Sequence, residues 1–251
     1  MKAGRARPGL GRGFALLLSA SAVSTVGNGL ATAAFPLLAT RLTSDPLLVS
    51  VVTAAGTMPW LVFGLLSGVV VDRTDRRRLM WRTDTARAVL VGGLVLALVT
   101  VGVDIWGLAL FAAAVGVGPT RFDNASHAMV PALGGRDDEP LGRANARLYG
   151  SEVAGEQFAG PALGGIFFAA AQFLPFALDA VSFAVSAALV AAVGGRYRPD
   201  PPSAAEHGAP SWRRSVAEGV LWLVRHHFLR SLAVAIGTIN LAIAMGEAVL
   251  V

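Results

Sequence analysis

The chain is 251 residues long, 54% apolar and only 15% charged, with 29 glycines, no cysteine and a formal net charge of +5. Soluble chains carry roughly 25% charged residues, so this composition excludes an ordinary water-soluble globule, and it equally excludes a disordered, collagen-like or disulfide-stapled chain. A basic balance can signal nucleic acid, but the cations here lie in short segments between apolar runs of membrane length, so no nucleic-acid partner is expected.

Residues 13–40 and 46–71 contain no charged side chain, and a bilayer span needs about 20 apolar residues. The first span is expected at 14–40, behind the basic segment 1–13 with Lys2, Arg5, Arg7 and Arg12. It is too long for a signal-peptide core and lacks a clean cleavage site, so it reads as a retained helix. Arg41, Asp45 and Pro46 mark a turn, and the second span covers 47–71. The basic connection from Asp72 to Arg78 follows. A third span, 79–103, carries Arg82, Asp84 and Arg87 in its opening turns. The fourth, 105–133, is interrupted by Arg121 and Asp123, and 134–141 is a polar loop. The fifth, 145–170, carries Glu152 and Glu156; the sixth, 176–193, carries Asp179. Residues 194–230 hold Pro199, Pro201, Pro202 and Pro210 and read as a linker. Within it, Ser211–Arg225 has Trp212, Val216, Val220 and Leu223 on one helical face. That pattern fits either an interfacial amphipathic helix or a connecting helix packed on the bundle. A seventh span occupies 231–251.

The loops decide the orientation. The N-terminus and the segments 72–82, 134–147 and 194–230 hold eighteen of the 21 Lys and Arg residues, while the intervening loops hold only Arg41. Positive charge stays on the cytoplasmic side, which places the N-terminus inside and makes six complete spans alternate consistently. The expected class is an all-α, polytopic bundle: six spans at 14–193, a cytoplasmic linker at 194–230 and a seventh span.

Two motifs stand out. Gly68, Asp72, Arg73, Arg76 and Arg77 join the second span to the third, with Gly64 and Gly68 small enough for close helix approach in lipid. On the fifth span, Gly155, Gly160, Pro161, Gly164 and Gly165 combine a missing backbone donor with a smooth glycine surface. Such interrupted helices often mark moving parts of transporters. Each motif alone also fits plain packing. Together they resemble the major facilitator superfamily. Its signature after the second span is Gly-x-x-x-Asp-Arg-x-x-Arg-Arg/Lys, and its antiporter signature on the fifth has a Gly-Pro-x-x-Gly-Gly core. Asn145, Gly160-Pro161 and the stretch Pro175–Phe183 are similar to the branch holding macrolide and siderophore exporters.

The resemblance covers nearly the whole chain. It implies the amino-terminal half of a proton-coupled exporter of drug-like or siderophore-like solutes in the bacterial inner membrane. By the same resemblance Asp72 and its arginines form a cytoplasmic gate, Gly160–Gly165 shapes a helix that limits leakage, and the first and fourth spans line a cavity. The implied partners are lipid, solute and protons. Transport would need a carboxyl-terminal half, a second chain or self-association. In two respects the chain departs from the family: members usually have twelve spans in two six-span halves, where one half, a linker and the next span are expected here, and the fourth span differs. An arginine expected four residues before Gly116-Val117-Gly118 is replaced by Ala112, and Arg121, on roughly the opposite face, cannot stand in for it.

Ionisable side chains inside spans are functional candidates by default. Those lining the implied cavity or coupling protons are Asn28, Arg121, Asp123, Asn124, Glu152 and Glu156. Glu152 and Glu156 share one helical face, and burial disfavours the charged form of a carboxyl. Glu152 also lies within reach of Arg147 or Arg121 for simple pairing. Asp179 is expected near the outer end of its span, in a capping or packing role. Asp123, Ser126 and His127 do not make a hydrolase, because no nucleophile elbow is present. The adjacent His226 and His227 lack partners at metal-ligand spacing. No cofactor or metal is expected, and no enzyme. The rival reading is a truncated, non-transporting membrane protein or a helix-binding scaffold.

Overall fold

The computed structural model describes residues 11–134, 138–198, 219 and 221–250; at 61–62, 64–69, 72–73, 134, 138–140 and 240–250 only the backbone is described. The chain divides into two units, residues 1–200 and 201–251. Among the described residues all regular structure is helical. The first unit contains α1 (Arg12–Leu42), α2 (Pro46–Arg73), α3 (Arg76–Thr100), α4 (Ile105–Gly116), α5 (Gly118–Gly134), α6 (Asp138–Val153), a π-helical turn (Ala154–Ala159), α7 (Gly160–Ala170) and α8 (Leu174–Ala192). The second contains α9 (His227–Leu250). The segment Ser211–Arg225 lies largely outside the described residues; Gly219 and residues 221–225 are helical.

Aspartates start three of these helices. Asp45 accepts from the Leu47 N–H at 2.9 Å, Asp75 from Arg78 at 3.0 Å and Asp104 from Gly107 at 2.9 Å. Each satisfies an orphan donor and places negative charge at the positive end of a helix dipole. Capping by Asp75 draws Arg76–Arg78 into the first turn of α3, so the helix starts before the expected residue 79. After α3, Gly102 adopts φ 77°, a left-handed turn that glycine makes without steric cost. The loop expected at 134–141 is shorter, since α6 begins at Asp138.

The apolar stretch expected at 105–133 is two helices. The break falls at Val117, flanked by Gly116 and Gly118, where Pro119 removes a backbone donor. Among the described residues, four stretches are long and apolar enough to cross a bilayer: α1, α3, Ile105–Leu133 and α8. α1, with 31 residues, is about 46 Å long against a hydrocarbon core of about 30 Å.

In the first unit α1 packs on α7 and α8, α3 on α5 and α8, and α2 on α4. The core forms two apolar clusters. One gathers Ala34, Phe35, Leu38, Val91, Leu94, Leu108 and Phe176, with Phe35 and Phe176 edge to face at 5.1 Å. The other gathers Phe14, Leu17, Met80, Phe122, Met129, Leu148 and Val190. Between them α1, α3 and α8 contribute a buried polar layer: Ser21, Ser24, Thr25, Asn28, Asp84, Arg87, Asp179 and Ser186.

Candidate functional site

Arg87 on α3 is the centre of that layer. It is 3% exposed and its partner Asp84 is fully buried, at 3.4 Å from Nη1 to Oδ1. Nη2 donates to Oδ1 of Asn28 on α1. The guanidinium carbon lies 3.7 Å from the ring centroid of Phe183 on α8, a desolvated cation–π contact of order 2 kcal/mol. The stem of Arg87 fills the space above Gly118: a Cβ there would meet its Cδ and Nε. The break between α4 and α5 is thus where the arginine passes.

Asp179, on α8, is also fully buried. It borders Gly27 of α1, and its Oδ1 is 3.4 Å from the Ser182 hydroxyl. Its Oδ2, like Arg87 Nε and Asp84 Oδ2, makes no hydrogen bond within the described protein. Buried polar atoms in folded proteins nearly all find partners, so this layer keeps unused bonding capacity.

The layer opens onto a cavity of about 260 Å³. Asn28, Arg87, Glu156 and Asp179 supply its polar wall; Phe35, Val52, Trp60 and Val115 are among its apolar lining. Ala112 lines it too. Among the described residues, Arg87 is the guanidinium that lines this cavity.

Of the sequence candidates, Asn28 and Glu156 face this cavity; Arg121, Asp123, Asn124 and Glu152 are not among its lining residues. Glu152 lies with His127, 3.3 Å between Oε2 and Nε2, and receives the Ser21 hydroxyl at 3.4 Å; its partner is that histidine, and neither Arg147 nor Arg121. Asp123 lies within electrostatic reach of Glu152, Glu156, Arg87 and His127. Arg121 sits 5.7 Å from the Phe63 ring, and Asn124 is exposed. Arg87 and Asp179 also line the cavity, although the sequence presents Arg87 as an interruption of the third span and Asp179 as a capping or packing residue. Asp84 and Arg87 are three apart, a spacing that puts both on one helical face, and that was the available signal.

The fifth-span motif is built against α1. Gly160 and Gly29 meet backbone to backbone: a Cβ on Gly160 would lie 2.5 Å from Gly29 Cα and 2.7 Å from the Gly155 carbonyl. Gly155 and Gly164 face Thr25 and Leu30 just as closely, whereas Gly165 faces open space. The expected bend at Pro161 is a π-helical turn over Ala154–Ala159. It widens the helix one turn ahead of the residue that cannot donate, and such turns concentrate at functional sites. It also removes Glu156 from the simple α-helical register with Glu152.

In the gate motif, Gly68, Asp72 and Arg73 lie on the last two turns of α2, and their side chains fall outside the described residues. Arg76 donates to the Ala128 carbonyl of α5 at 2.9 Å. Arg77 donates to the carbonyls of Val190 (3.2 Å), Ala191 and Gly195 (3.4 Å). A cation there satisfies the orphan carbonyls at the end of α8 and complements its dipole.

Apolar helices of membrane-spanning length around a partly polar cavity define an integral membrane protein. Residues 8–204 match the family described as transmembrane secretion effector, and the chain belongs to that family, within the major facilitator superfamily. It is a multi-pass protein of the bacterial cell membrane. The chain is 33% identical over 158 residues to the multidrug efflux pump Tap of Mycolicibacterium fortuitum, covering 61% of this chain and 38% of that protein. The pumps of the same name from Mycobacterium bovis (strain BCG / Pasteur 1173P2) and Mycobacterium tuberculosis (strain ATCC 25618 / H37Rv) are 30% identical over 158 residues, covering 61% of this chain and 37% of theirs. The matched segment thus spans under two fifths of the length of these relatives.

Proposed function

We propose that the chain is the amino-terminal bundle of a proton-coupled efflux transporter for drug-like or siderophore-like solutes, working by alternating access. Six spans, in two three-helix repeats of inverted topology with the N-terminus cytoplasmic, form one wall of the central cavity. A facing bundle, from the same polypeptide, a second chain or a second copy, forms the other.

The observation that carries the reading is the cavity's polar wall. A single guanidinium, Arg87, faces Glu156 and Asp179 there and pairs with Asp84 behind. Three carboxyl groups around one cation leave surplus negative charge in a low-dielectric interior. Protons neutralise that surplus at far lower cost than burying it ionised. Solute and proton then compete for the same wall, and apolar residues such as Phe35 and Trp60 hold the body of the solute. Gly29 and Gly160 provide a smooth contact along which α1 and α7 can slide. Asp72, Arg73, Arg76 and Arg77, with Gly68, act as the cytoplasmic gate, with Arg77 tying α3 to the end of α8. Asp123 and Glu152 lie beside the wall as a relay.

The test is transport by the complete transporter in proteoliposomes carrying an internal pH dye, with ethidium as solute. Ethidium flux should move protons the other way, and Asp179→Asn should abolish proton movement while ethidium still binds. Ethidium flux without proton movement would defeat the coupling reading, and full coupling in Asp179→Asn would defeat the assignment of the wall.

A further inference from the structure

A second polar cavity, of about 430 Å³, lies away from the transport wall, between the start of α3 and the segment that follows α8. It is lined by Arg78, Arg82, Arg196 and Arg198, with Asp75 as its one acidic residue. Two pieces of chain far apart in sequence are stitched together to make it. The Arg76 N–H donates to the Tyr197 carbonyl at 3.2 Å, and the Tyr197 N–H donates to Asp75 Oδ2 at 3.2 Å. Asp75 Oδ1 is engaged by the Arg78 N–H. Both oxygens of the acid are thus spent on backbone donors, and among the described residues none of the four guanidiniums has a carboxylate partner. Retention of positive charge on one side of a membrane requires arginines in a loop; it does not require four of them to converge on one concavity held by backbone bonds. Arg82 also lies 5.6 Å from the ring of Trp81, a residue type that favours the membrane–water interface.

We propose that this groove binds the phosphate headgroup of an anionic phospholipid, which would tie the α2–α3 connection to the chain leaving α8. The proposal rests on the membrane placement of the chain and not on the transport reading. Guanidinium forks match phosphate oxygens in pairs, the ring beside Arg82 suits the headgroup level, and the gate residues Arg76 and Arg77 sit in the same turn.

The experiment is native mass spectrometry of the purified full chain with phosphatidylglycerol and phosphatidylcholine in equal amounts, repeated with inorganic phosphate at millimolar concentration. Retention of phosphatidylglycerol over phosphatidylcholine is expected. The Arg196→Gln/Arg198→Gln variant, in a loop that leaves the helices alone, should lose about thirtyfold in phosphatidylglycerol affinity, taking roughly fivefold per arginine near an anionic surface. Arg82→Gln should lose about fivefold on the same basis. Equal retention of the two lipids, or undiminished selectivity in both variants, overturns the proposal. So does displacement of the lipid by inorganic phosphate, which would make the groove a site for a soluble anion.

Discussion

Arg87 shows how much of this protein depends on one side chain. It bonds α1 through Asn28, stacks on α8 through Phe183, pairs with Asp84 and runs past Gly118. Replacing it with Gln leaves Asp84 buried against a neutral amide. Breaking a buried pair by removing one partner costs about 3–5 kcal/mol, so Arg87→Gln should lower the melting temperature of the purified protein sharply. Arg87→Gln/Asp84→Asn should recover much of that loss, because the charges leave together. Arg87→Lys should not rescue it, since an ammonium lacks the planar fork that serves Asn28, Asp84 and the ring at once. A melting temperature unchanged in Arg87→Gln would show that the pair is not structural. The sequence displays Asp84 and Arg87 plainly, but as blemishes at the start of an apolar run. Their importance depends on what α1, α5 and α8 bring against them, and one-dimensional spacing does not carry that. Asp179 reads in the sequence as a capping or packing residue; it packs on Gly27 and is completely buried, a depth that its place near the start of α8 does not reveal.

At the scale of elements the fifth span is the informative case. Its Gly-Pro-x-x-Gly-Gly pattern is legible as an interrupted, closely packed helix. Two things are not legible in it. One is the form of the interruption, a π turn rather than a simple kink, which depends on where the backbone carbonyls ahead of Pro161 find donors. The other is which glycines carry the contact. Gly160 meets the backbone of α1 and Gly165 meets nothing, though the motif presents them as equals. Gly160→Ala must therefore push α1 and α7 apart, and overpacking of this kind costs typically 1–3 kcal/mol. Gly165→Ala should leave stability unchanged or slightly raised, since alanine is the better helix former by about 1 kcal/mol. Thermal unfolding of the two variants in detergent separates them; equal losses would mean that α7 presents a different face to α1.

The whole molecule follows from hydrophobic runs of membrane length and from charge sorted by loop. Four of the expected spans, α1, α3, residues 105–133 and α8, are legible in the sequence because about 20 apolar residues have few other uses. Exact ends are less so, because aspartate caps extend α3 and Gly-Pro chemistry divides the fourth run. The arrangement makes a prediction about sidedness that the protein is well suited to test, since it contains no cysteine. Between Ser44 and Gly194 lie α2, α3, α4–α5, α6–α7 with its π turn, and α8. If each of these five stretches crosses the bilayer, the two positions lie on opposite faces. Both are exposed, and a Cβ at Gly194 meets nothing within 4 Å, so Ser44→Cys and Gly194→Cys should be well tolerated. A membrane-impermeant maleimide applied to intact spheroplasts should label Ser44→Cys, and should reach Gly194→Cys only after permeabilisation. Labelling of both from outside would mean that one of the intervening helices fails to cross, with α6–α7 the first to suspect because its opening half is polar. The reverse pattern, Gly194→Cys outside and Ser44→Cys protected, would keep all five crossings but put the arginine-rich loops on the outer face. Sorting of eighteen of the 21 basic residues to one side would then run against the insertion bias that normally produces it.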